Sequence, residues 1–403
     1  MNIQKYYFYK FFQELMPIYP IYVILFESKG LSIFQISLLL AIWSIPVIIL
    51  EIPSGVLADC WSRKNLLVLG AILKIGCFFI WYLAEGFLLY AFGFLLWGVS
   101  SSFSSGAEEA FLYDSLHSKN KQDEFAKVLG KGRFLSGISM AIASFCGGYI
   151  SMWLSINATL IISICMGVIS VGVACSFREV NLYTVNHRNE DQPIRSMFVE
   201  SFRFLLRKLH LFLIVLIVIL VVGTSEVLDE YDQLIAKGFG LSIGAVGVWG
   251  SIRGILSAIG SLIAHYMKKI VNKFFCLQKG FFIIAWISVV GIIFLGISGY
   301  IQRLWAMIFY ALYYLIMSSC QVIAEDYLQQ EIEHEGRATV HSIISLMLNL
   351  FGTIFFFILG VVFSVSDLFT GIIITSVYMI IVGIVLCIVY CLLVDKKIET
   401  KQK

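Results

Sequence analysis

The sequence predicts an all-α membrane protein with 12 transmembrane helices in two pseudo-symmetric six-helix bundles. Of its 403 residues, 59% are hydrophobic and only 14% are charged, whereas an average soluble domain carries about 25% charged residues. The apolar residues form long uninterrupted runs, and about 20 such residues are what a helix needs to cross a bilayer. Membrane strands would instead show alternating segments of about 10 residues.

The apolar runs fall into two sets of six, which we number as spans 1 to 12. They cover approximately residues 8–27, 33–57, 66–84, 87–113, 132–150 and 155–176, then 211–236, 242–266, 277–297, 304–328, 338–363 and 368–394. Within the polar connection, apolar and basic residues recur at helical spacing over 197–208, as in a helix that lies on a membrane surface. We therefore expect an N-terminal bundle at 1–176, a cytoplasmic linker with an amphipathic helix at 177–208 and a C-terminal bundle at 209–403.

The distribution of basic residues predicts the orientation of the spans. If the N-terminus is cytoplasmic, the external loops hold only Lys29, Lys237 and Arg303, and most other Lys and Arg residues fall in cytoplasmic segments. Cytoplasmic loops of membrane proteins are enriched in Lys and Arg. We therefore expect a multi-pass protein of the cell membrane with both termini in the cytoplasm. Lys74 and Arg253 remain within the predicted spans.

The two halves contain matching short segments in the same order. GLSI at 30–33 recurs at 240–243, and GVLADCWSRK at 55–64 aligns with GSLIAHYMKK at 260–269. Gly-Arg at 132–133 likewise recurs at 336–337. Tandem six-helix repeats are typical of secondary transporters, whose substrate site lies between the repeats.

The segment GVLADCWSRK resembles the signature G-x-L-A-D-R-x-G-R-K, which connects spans 2 and 3 in the major facilitator superfamily. Six residues match the signature: Gly55, Leu57, Ala58, Asp59, Arg63 and Lys64. Cys60 and Ser62 replace the usual Arg and Gly. The resemblance implies the 12-helix fold of that family and a cytoplasmic latch formed by Gly55, Asp59, Arg63 and Lys64. The alternative is a basic turn that only orients the protein, which would need Arg63 and Lys64 but not Asp59.

Two further features concern the shape of span 2 and the direction of transport. Pro53 and Gly55 predict that the helix of span 2 ends there. Segments such as EIPSG and GAEEAFLYDSL also resemble a bacterial subgroup of the family that is linked to export of drugs or metabolites. In span 5 the chain keeps the Gly147-Gly148 pair of the proton antiporters but lacks their Gly-Pro.

Charged residues inside the first bundle are candidates for function, because a charge within a membrane is costly. Glu51, Glu109 and Arg133 are expected at the cytoplasmic gate, together with Arg337 of the second bundle. Glu109 and Arg133 would form an ion pair in the first bundle. Arg337 would form the corresponding pair in the second bundle, with Glu325 or Asp326. The role of such pairs, structural or gating, stays open.

Glu14 is the first candidate for proton coupling. It lies in span 1, where Lys10 is the only nearby cation in the sequence. A carboxylate without a partner is suited to bind and release protons.

Span 7 carries a stripe of polar residues. Glu226, Asp229, Glu230 and Gln233 follow the spacing i, i+3, i+4, i+7, which places them on one helix face. Glu226 and Asp229 are candidates for proton coupling or substrate binding, and Arg253 of span 8 is expected to pair with one of them. The alternative is an early helix end in water, and for Glu230 and Asp232 exposure to solvent is the favoured interpretation.

Aromatic side chains are abundant and predict an aromatic wall around the transport cavity. The candidates for this wall are Tyr19, Tyr22, Trp43, Trp97, Trp249, Tyr310, Tyr313 and Tyr314. Such a surface suits an amphipathic or aromatic compound better than a sugar.

These features together predict a secondary transporter working by alternating access. No GxxxxGK[ST] loop occurs in the sequence, so ATP is not expected to drive transport directly. The favoured activity is proton-coupled efflux of a small amphipathic compound. Uptake of a polar nutrient by proton symport and flipping of a lipid or glycolipid remain open. We expect a monomer with a small-molecule substrate, protons as coupling ion and the lipid bilayer as its surroundings. We expect no cofactor, metal, nucleic-acid partner or catalytic residue.

Overall fold

The computed structural model describes residues 2–179, 209–274, 280–331 and 337–401. Within these ranges the protein is almost entirely helical and has no strand. Most of the predicted linker therefore lies outside the described residues, as do the side chains of Glu51, Asp59 and Arg337. Eleven of the described helices are long and apolar enough to cross a membrane. The all-α membrane fold is thus confirmed.

The described chain divides into two compact units. The first unit contains spans 1 to 6 and the beginning of span 8, through Ile252; the second contains span 7, the remainder of span 8 and spans 9 to 12. The helices of spans 1 to 6 are Asn2–Glu14 with Tyr22–Ser28, Ile33–Cys60, Arg63–Leu83, Phe87–His117, Phe125–Trp153 and Ile156–Cys175. Those of spans 7 to 12 are Leu209–Val218 with Thr224–Gly238, Ile243–Phe274, Gly280–Ile301, Met307–Glu331, Arg337–Val365 and Leu368–Lys401.

Span 1 is broken into two helices, and its prolines explain why. The helix stops at Glu14 and restarts at Tyr22. Pro17 and Pro20 lie in the break, and each lacks the N–H that would continue the helical hydrogen bonds. Freed backbone groups inside a membrane need other partners. The N–H of Ile18 accordingly donates to Ser163 Oγ of span 6 at 3.1 Å.

Glycines of span 5 make room for this break and for span 8. A Cβ atom on Gly147 would collide with the carbonyl of Pro17. A Cβ atom on Gly148 would lie 2.7 Å from the carbonyl oxygen of Gly244 at the start of span 8. The Gly-Gly pair therefore permits two close backbone contacts within the first unit.

Span 2 does not end at Pro53 and Gly55, which corrects the expectation from the sequence. Its helix continues to Cys60, because a proline in a membrane helix is tolerated when neighbouring groups satisfy the backbone. Span 3 begins directly afterwards, and the Ser62 hydroxyl accepts a hydrogen bond from the N–H of Asn65 at 3.0 Å. Ser62, which replaces the usual Gly of the signature, is thus the N-cap of span 3.

Span 7 is also irregular in its middle. A π-helical turn covers Ile219–Gly223 and joins its two α-helical parts. Such turns are rare in proteins, and many of those that occur lie at functional sites. The turn directly precedes the acidic stretch of the span, beginning with Glu226.

Candidate functional site

Arg63 lies in a buried ion pair. Only 7% of the residue is exposed, and its guanidinium pairs with Asp114 near the end of span 4. The same group donates to the carbonyls of Ala58 at 3.3 Å and Ala110 at 3.1 Å. Arg63 therefore fastens the connection between spans 2 and 3 to span 4. The sequence interpretation missed Asp114, although a carboxylate in the last turn of a helix opposes the helix dipole and so calls for a cation.

The second unit contains a corresponding ion pair. Lys268 aligns with Arg63 in the internal repeat, and its ammonium pairs with Asp326 near the end of span 10. It also lies 5.1 Å from the ring centroid of Tyr327. Each unit thus connects the basic end of its repeated segment to a carboxylate on the fourth span of its half.

Neither Gly55 nor Lys64, two further latch candidates, makes a contact among the described residues that would explain its residue type. A Cβ atom on Gly55 would meet no other atom within 4 Å, so packing gives no reason for a glycine there. Lys64 has no ion pair within the described part of the chain. The roles of Glu51, Asp59 and Arg337 remain predictions, since their side chains lie outside that part.

Glu108 and Glu109 are adjacent but lie in different surroundings. Glu109 Oε1 lies 3.1 Å from Arg133 Nη2, and these side chains are 56% and 70% exposed. Glu108 is mostly buried, 2.9 Å from Lys10 Nζ, and accepts a hydrogen bond from the Tyr6 hydroxyl at 3.1 Å. The structure thus brings together the expected Glu109–Arg133 pair. It also uses Lys10 for Glu108, a pairing that the sequence interpretation missed.

In the second unit, one cation lies between two carboxylates of span 7. Arg253 Nη1 pairs with Asp229 and lies 3.7 Å from Asp232 Oδ2. Its guanidinium also lies 5.5 Å from the ring centroid of Tyr314. The Tyr314 hydroxyl donates to Asp232 Oδ1 at 3.2 Å and lies 3.2 Å from the Tyr310 hydroxyl. We call Asp229, Asp232, Arg253, Tyr310 and Tyr314 the span 7 cluster.

The span 7 cluster contradicts the expected exposure of Asp232 and shows which carboxylate pairs with Arg253. Asp232 is not exposed to solvent: only 4% of the residue is accessible, because Tyr314 and Arg253 on neighbouring spans enclose it. Of the two expected partners of Arg253, Asp229 forms the contact. Glu226 is exposed and has no ion pair among the described residues.

In the first unit, Glu14 and Lys74 form no ion pair with each other or with any other described residue. Glu14 is the last residue of the first helix of span 1. Lys74 Nζ lies 3.4 Å from the backbone carbonyl oxygen of Gln13 and 5.0 Å from the ring centroid of Tyr19. Both residues thus lie near the break in span 1.

The aromatic candidates separate into two groups. Five of them are buried in helix packing: Tyr22, Trp249, Tyr310, Tyr313 and Tyr314. The other three, Tyr19, Trp43 and Trp97, are half-buried and contiguous. The rings of Tyr19 and Trp97 stack at 5.5 Å, and Trp43 lies 6.4 Å from Trp97.

Comparisons with known proteins agree with this architecture. The sequence model of the Major Facilitator Superfamily matches residues 7–356. The uncharacterized MFS-type transporter YxaM of Bacillus subtilis (strain 168) is 20% identical over 255 residues, which cover 63% of this chain and 63% of that protein. The match therefore spans less than two thirds of that relative's length.

Several solved structures share the fold. The nucleoside transporter NupG has a TM-score of 0.75 at 14% identity, with 96% of this chain and 98% of that chain covered. The D-xylose-proton symporter has a TM-score of 0.69 at 14% identity, with 96% of each chain covered. A bacterial homologue of the lysosomal transporter Spinster, in an inward-facing and unoccupied conformation, has a TM-score of 0.67 at 14% identity, with 96% and 94% covered. At these identities the likeness shows the fold alone. Because the sequence model of the family covers most of the chain, the protein belongs to the major facilitator superfamily of multi-pass membrane transporters.

Proposed function

We propose that the chain is a proton-coupled secondary transporter that exports a small amphipathic compound across the cell membrane by alternating access. The observation that carries proton coupling is the contact of Arg253 with two carboxylates of span 7, Asp229 and Asp232. Charge inside a membrane protein is costly, and binding of one proton to either carboxylate reduces it. Protonation would also release Arg253 from one of its two partners.

Glu14 of the first unit and Glu226 of span 7 are the further proton-coupling candidates. Glu14 is supported by its place at the break in span 1 and by the lack of an ion pair within the described residues. Glu226 lies just after the π-helical turn. Of these two candidates, we assign Glu14 as the proton-binding group of the first unit, because a carboxylate without an ion pair at a helix break can respond to movement of that helix.

We place the moving gate on the cytoplasmic side, where both termini would lie. The residues proposed for this latch and gate are Gly55, Asp59, Arg63, Lys64, Glu51, Glu109, Arg133 and Arg337. The supporting contacts are Arg63 with Asp114 and Glu109 with Arg133. The first pair is buried and would hold its connection rigidly, whereas the second is exposed and could exchange partners.

The half-buried aromatic group supports an amphipathic cargo. Tyr19, Trp43 and Trp97 form a continuous aromatic surface, and Trp43 Nε1 is a buried donor without a hydrogen-bond partner in the described residues. A flat compound with one polar group would find both stacking surfaces and a donor there.

Proton-driven uptake of a polar nutrient is the second candidate. Two proteins that share the fold favour it by name: a nucleoside transporter and a D-xylose-proton symporter. The span 7 cluster would serve a symporter equally well, since a carboxylate beside Arg253 can take up a proton from either side of the membrane.

The first test identifies a cargo and its direction. A deletion strain would be screened across toxic compounds and nutrients, with complementation by the wild-type chain. For a compound found in this way, inside-out vesicles with an acidic lumen should accumulate it if the protein exports it. An uncoupler should abolish the accumulation. Loss of preloaded compound under the same gradient would favour uptake instead, and accumulation that survives the uncoupler would contradict proton coupling.

The second test addresses the span 7 cluster. Asp232→Asn should abolish gradient-driven accumulation while leaving exchange of labelled for unlabelled compound, because exchange needs no net proton movement. Glu230→Gln is the matched control: the same carboxylate-to-amide change on the same helix, outside the cluster, should leave accumulation within about twofold of wild type, an energy change of at most ~0.4 kcal/mol. If Asp232→Asn still accumulates the compound with an unchanged gradient dependence, the assignment is wrong.

A further inference from the structure

Lys74 is a cation inside the first unit that the proposed transport cycle does not yet use. It lies on span 3, and its one hydrogen bond among the described residues is the 3.4 Å contact with the Gln13 carbonyl. An ammonium group carries three donors. Lys74 therefore keeps donors available, in contrast to Arg63 and Arg253, which are held by carboxylates.

The break in span 1 explains why Lys74 lies there. In a continuous helix, the carbonyl of Gln13 would accept a hydrogen bond from the N–H of residue 17. That residue is Pro17, which has no N–H. Lys74 takes the vacant position and lies at the C-terminal end of the helix Asn2–Glu14, where a cation is favoured by the helix dipole.

Glu14 is the carboxylate next to this ammonium along span 1. It directly follows Gln13, whose carbonyl is the contact of Lys74. The end of the helix dipole and the Lys74 charge act on an ionised Glu14 in opposite directions. Among the described residues, the titratable groups near Lys74 or Glu14 are Lys10, Tyr9 and Tyr19 of span 1, Cys77 of span 3 and Glu108 of span 4. Glu108 and Lys10 are paired with each other at 2.9 Å.

A small polar cavity gives Lys74 room to change partner. It lies between spans 1, 3, 4 and 6, and Gln13, Lys74, Ser104 and Ser170 are among the residues that line it. The hydroxyl of Ser170, a residue only 2% exposed, has no hydrogen-bond partner in the described residues, and neither has Gln13 Oε1. Buried polar groups normally have a protein or water partner. The cavity has space for about one water molecule, which these groups would hold.

We propose that Lys74 is a positioning residue for proton binding at Glu14, whose ammonium moves through this cavity from the Gln13 carbonyl to the Glu14 carboxylate when Glu14 loses its proton. In this step the Glu14 O–H bond breaks, the proton passes to water, and Lys74 keeps its own three protons. The inference deepens the proposed function, since it takes Glu14 as a proton-binding group. It adds a consequence for the fold: the proton state of Glu14 decides whether the Gln13 carbonyl at the break in span 1 keeps its partner.

The test measures proton binding directly and needs neither a cargo nor a gradient. Infrared spectra of the purified full-length protein in lipid would be recorded across pH. The carboxyl band of Glu14 would be assigned by subtracting the spectrum of Glu14→Gln. In Lys74→Met, assigned in the same way with the double variant, the band should persist to a pH higher by about one unit or more, because removal of a nearby cation destabilises the ionised form. An unchanged midpoint in Lys74→Met would overturn the proposal.

Two variants separate charge from structure. Lys74→Arg keeps the positive charge and should keep a midpoint near that of wild type; a shift as large as that of Lys74→Met would contradict the role of the charge. Lys131→Met is the matched control, since Lys131 also lies over a tyrosine ring, 5.1 Å from the centroid of Tyr7, but is not among the groups that face Glu14. A shift in this control as large as that in Lys74→Met would also overturn the proposal.

The same data distinguish this inference from the proposed function. A shifted Glu14 band in a protein whose transport ignores the proton gradient would refute proton coupling and leave the Lys74 assignment intact. An unshifted band in a transporter that is driven by the proton gradient would refute the Lys74 assignment and leave proton coupling intact.

Discussion

At the scale of residues, the cations inside the two units differ in how they are neutralised. Arg63 has one buried carboxylate, Arg253 has two, and Lys74 has none within the described residues. A fully paired buried charge fixes structure, because removal of one partner leaves an uncompensated charge. This difference separates the structural Arg63 from the two sites that we assign to proton coupling.

The Arg63–Asp114 pair gives a prediction at this scale. Asp114→Asn should lower the free energy of unfolding by about 3–5 kcal/mol, since it breaks a buried ion pair by removing the charge of one partner. The measurement is equilibrium unfolding in mixed detergent micelles. Glu109→Gln is the control, because its pair with Arg133 is exposed and such pairs contribute about 0–1 kcal/mol. Equal losses in the two variants would contradict the structural role of Asp114.

The sequence showed that these charges lie inside spans, but it could not assign their partners. Spacing along one helix predicted a polar stripe of Glu226, Asp229, Glu230 and Gln233, yet Gln233 is buried. Whether a face meets solvent or another helix depends on how helices pack. Asp232 is therefore buried against Tyr314, three spans away in the sequence, despite its polar neighbours.

At the scale of elements, spans 1 and 7 are the irregular helices of their halves. Span 1 is interrupted by prolines, and span 7 contains a π-helical turn. Each irregularity lies near a candidate proton-binding carboxylate, Glu14 in span 1 and Glu226 in span 7. A broken helix exposes backbone groups that only specific neighbours can satisfy, so its geometry is sensitive to small changes in those neighbours.

Two serines of span 6 test how the break in span 1 is stabilised. Ser163 accepts a hydrogen bond from the Ile18 N–H, and both residues are fully buried. Ser163→Ala should therefore lower the free energy of unfolding by about 1–3 kcal/mol, the cost of an unsatisfied buried donor. Ser170→Ala, a matched control on the same helix, should cost less, because its buried hydroxyl has no hydrogen-bond partner among the described residues. A larger loss for Ser170→Ala, measured by unfolding in mixed micelles, would refute this account.

At the scale of the whole molecule, the beginning of span 8 belongs to the first compact unit although it follows span 7 in the sequence. Close packing against span 5 explains this assignment. Ser251 Oγ donates to the Ala141 carbonyl at 2.8 Å, and Gly148 and Gly247 allow their backbones to approach.

A cysteine crosslink tests this packing. A Cβ atom on Gly250 would lie 3.4 Å from Cβ of Ser144, close to the roughly 3.5–4.5 Å found in disulfides. Ser144→Cys with Gly250→Cys should therefore crosslink under mild oxidation. A protease site placed in the segment 180–208 would show it, since crosslinked halves stay together after cleavage. Gly137→Cys with Gly250→Cys is the control and should separate, because no atom lies within 4 Å of a Cβ on Gly137. Separation of both pairs would contradict the packing.

The sequence by itself determined the class of the protein, the number of spans and the family. Polar groups are energetically costly in lipid, so each span must be a long run of apolar residues that is visible in the sequence. It also identified Glu14, Asp229 and Arg253 as charges that needed an explanation. Only the tertiary structure decided their partners: Asp114 for Arg63, Asp232 as a second carboxylate for Arg253, and the Gln13 carbonyl for Lys74. The physical reason is that these contacts join different helices, and their pairing depends on helix packing and on the break at Pro17, neither of which a one-dimensional pattern contains.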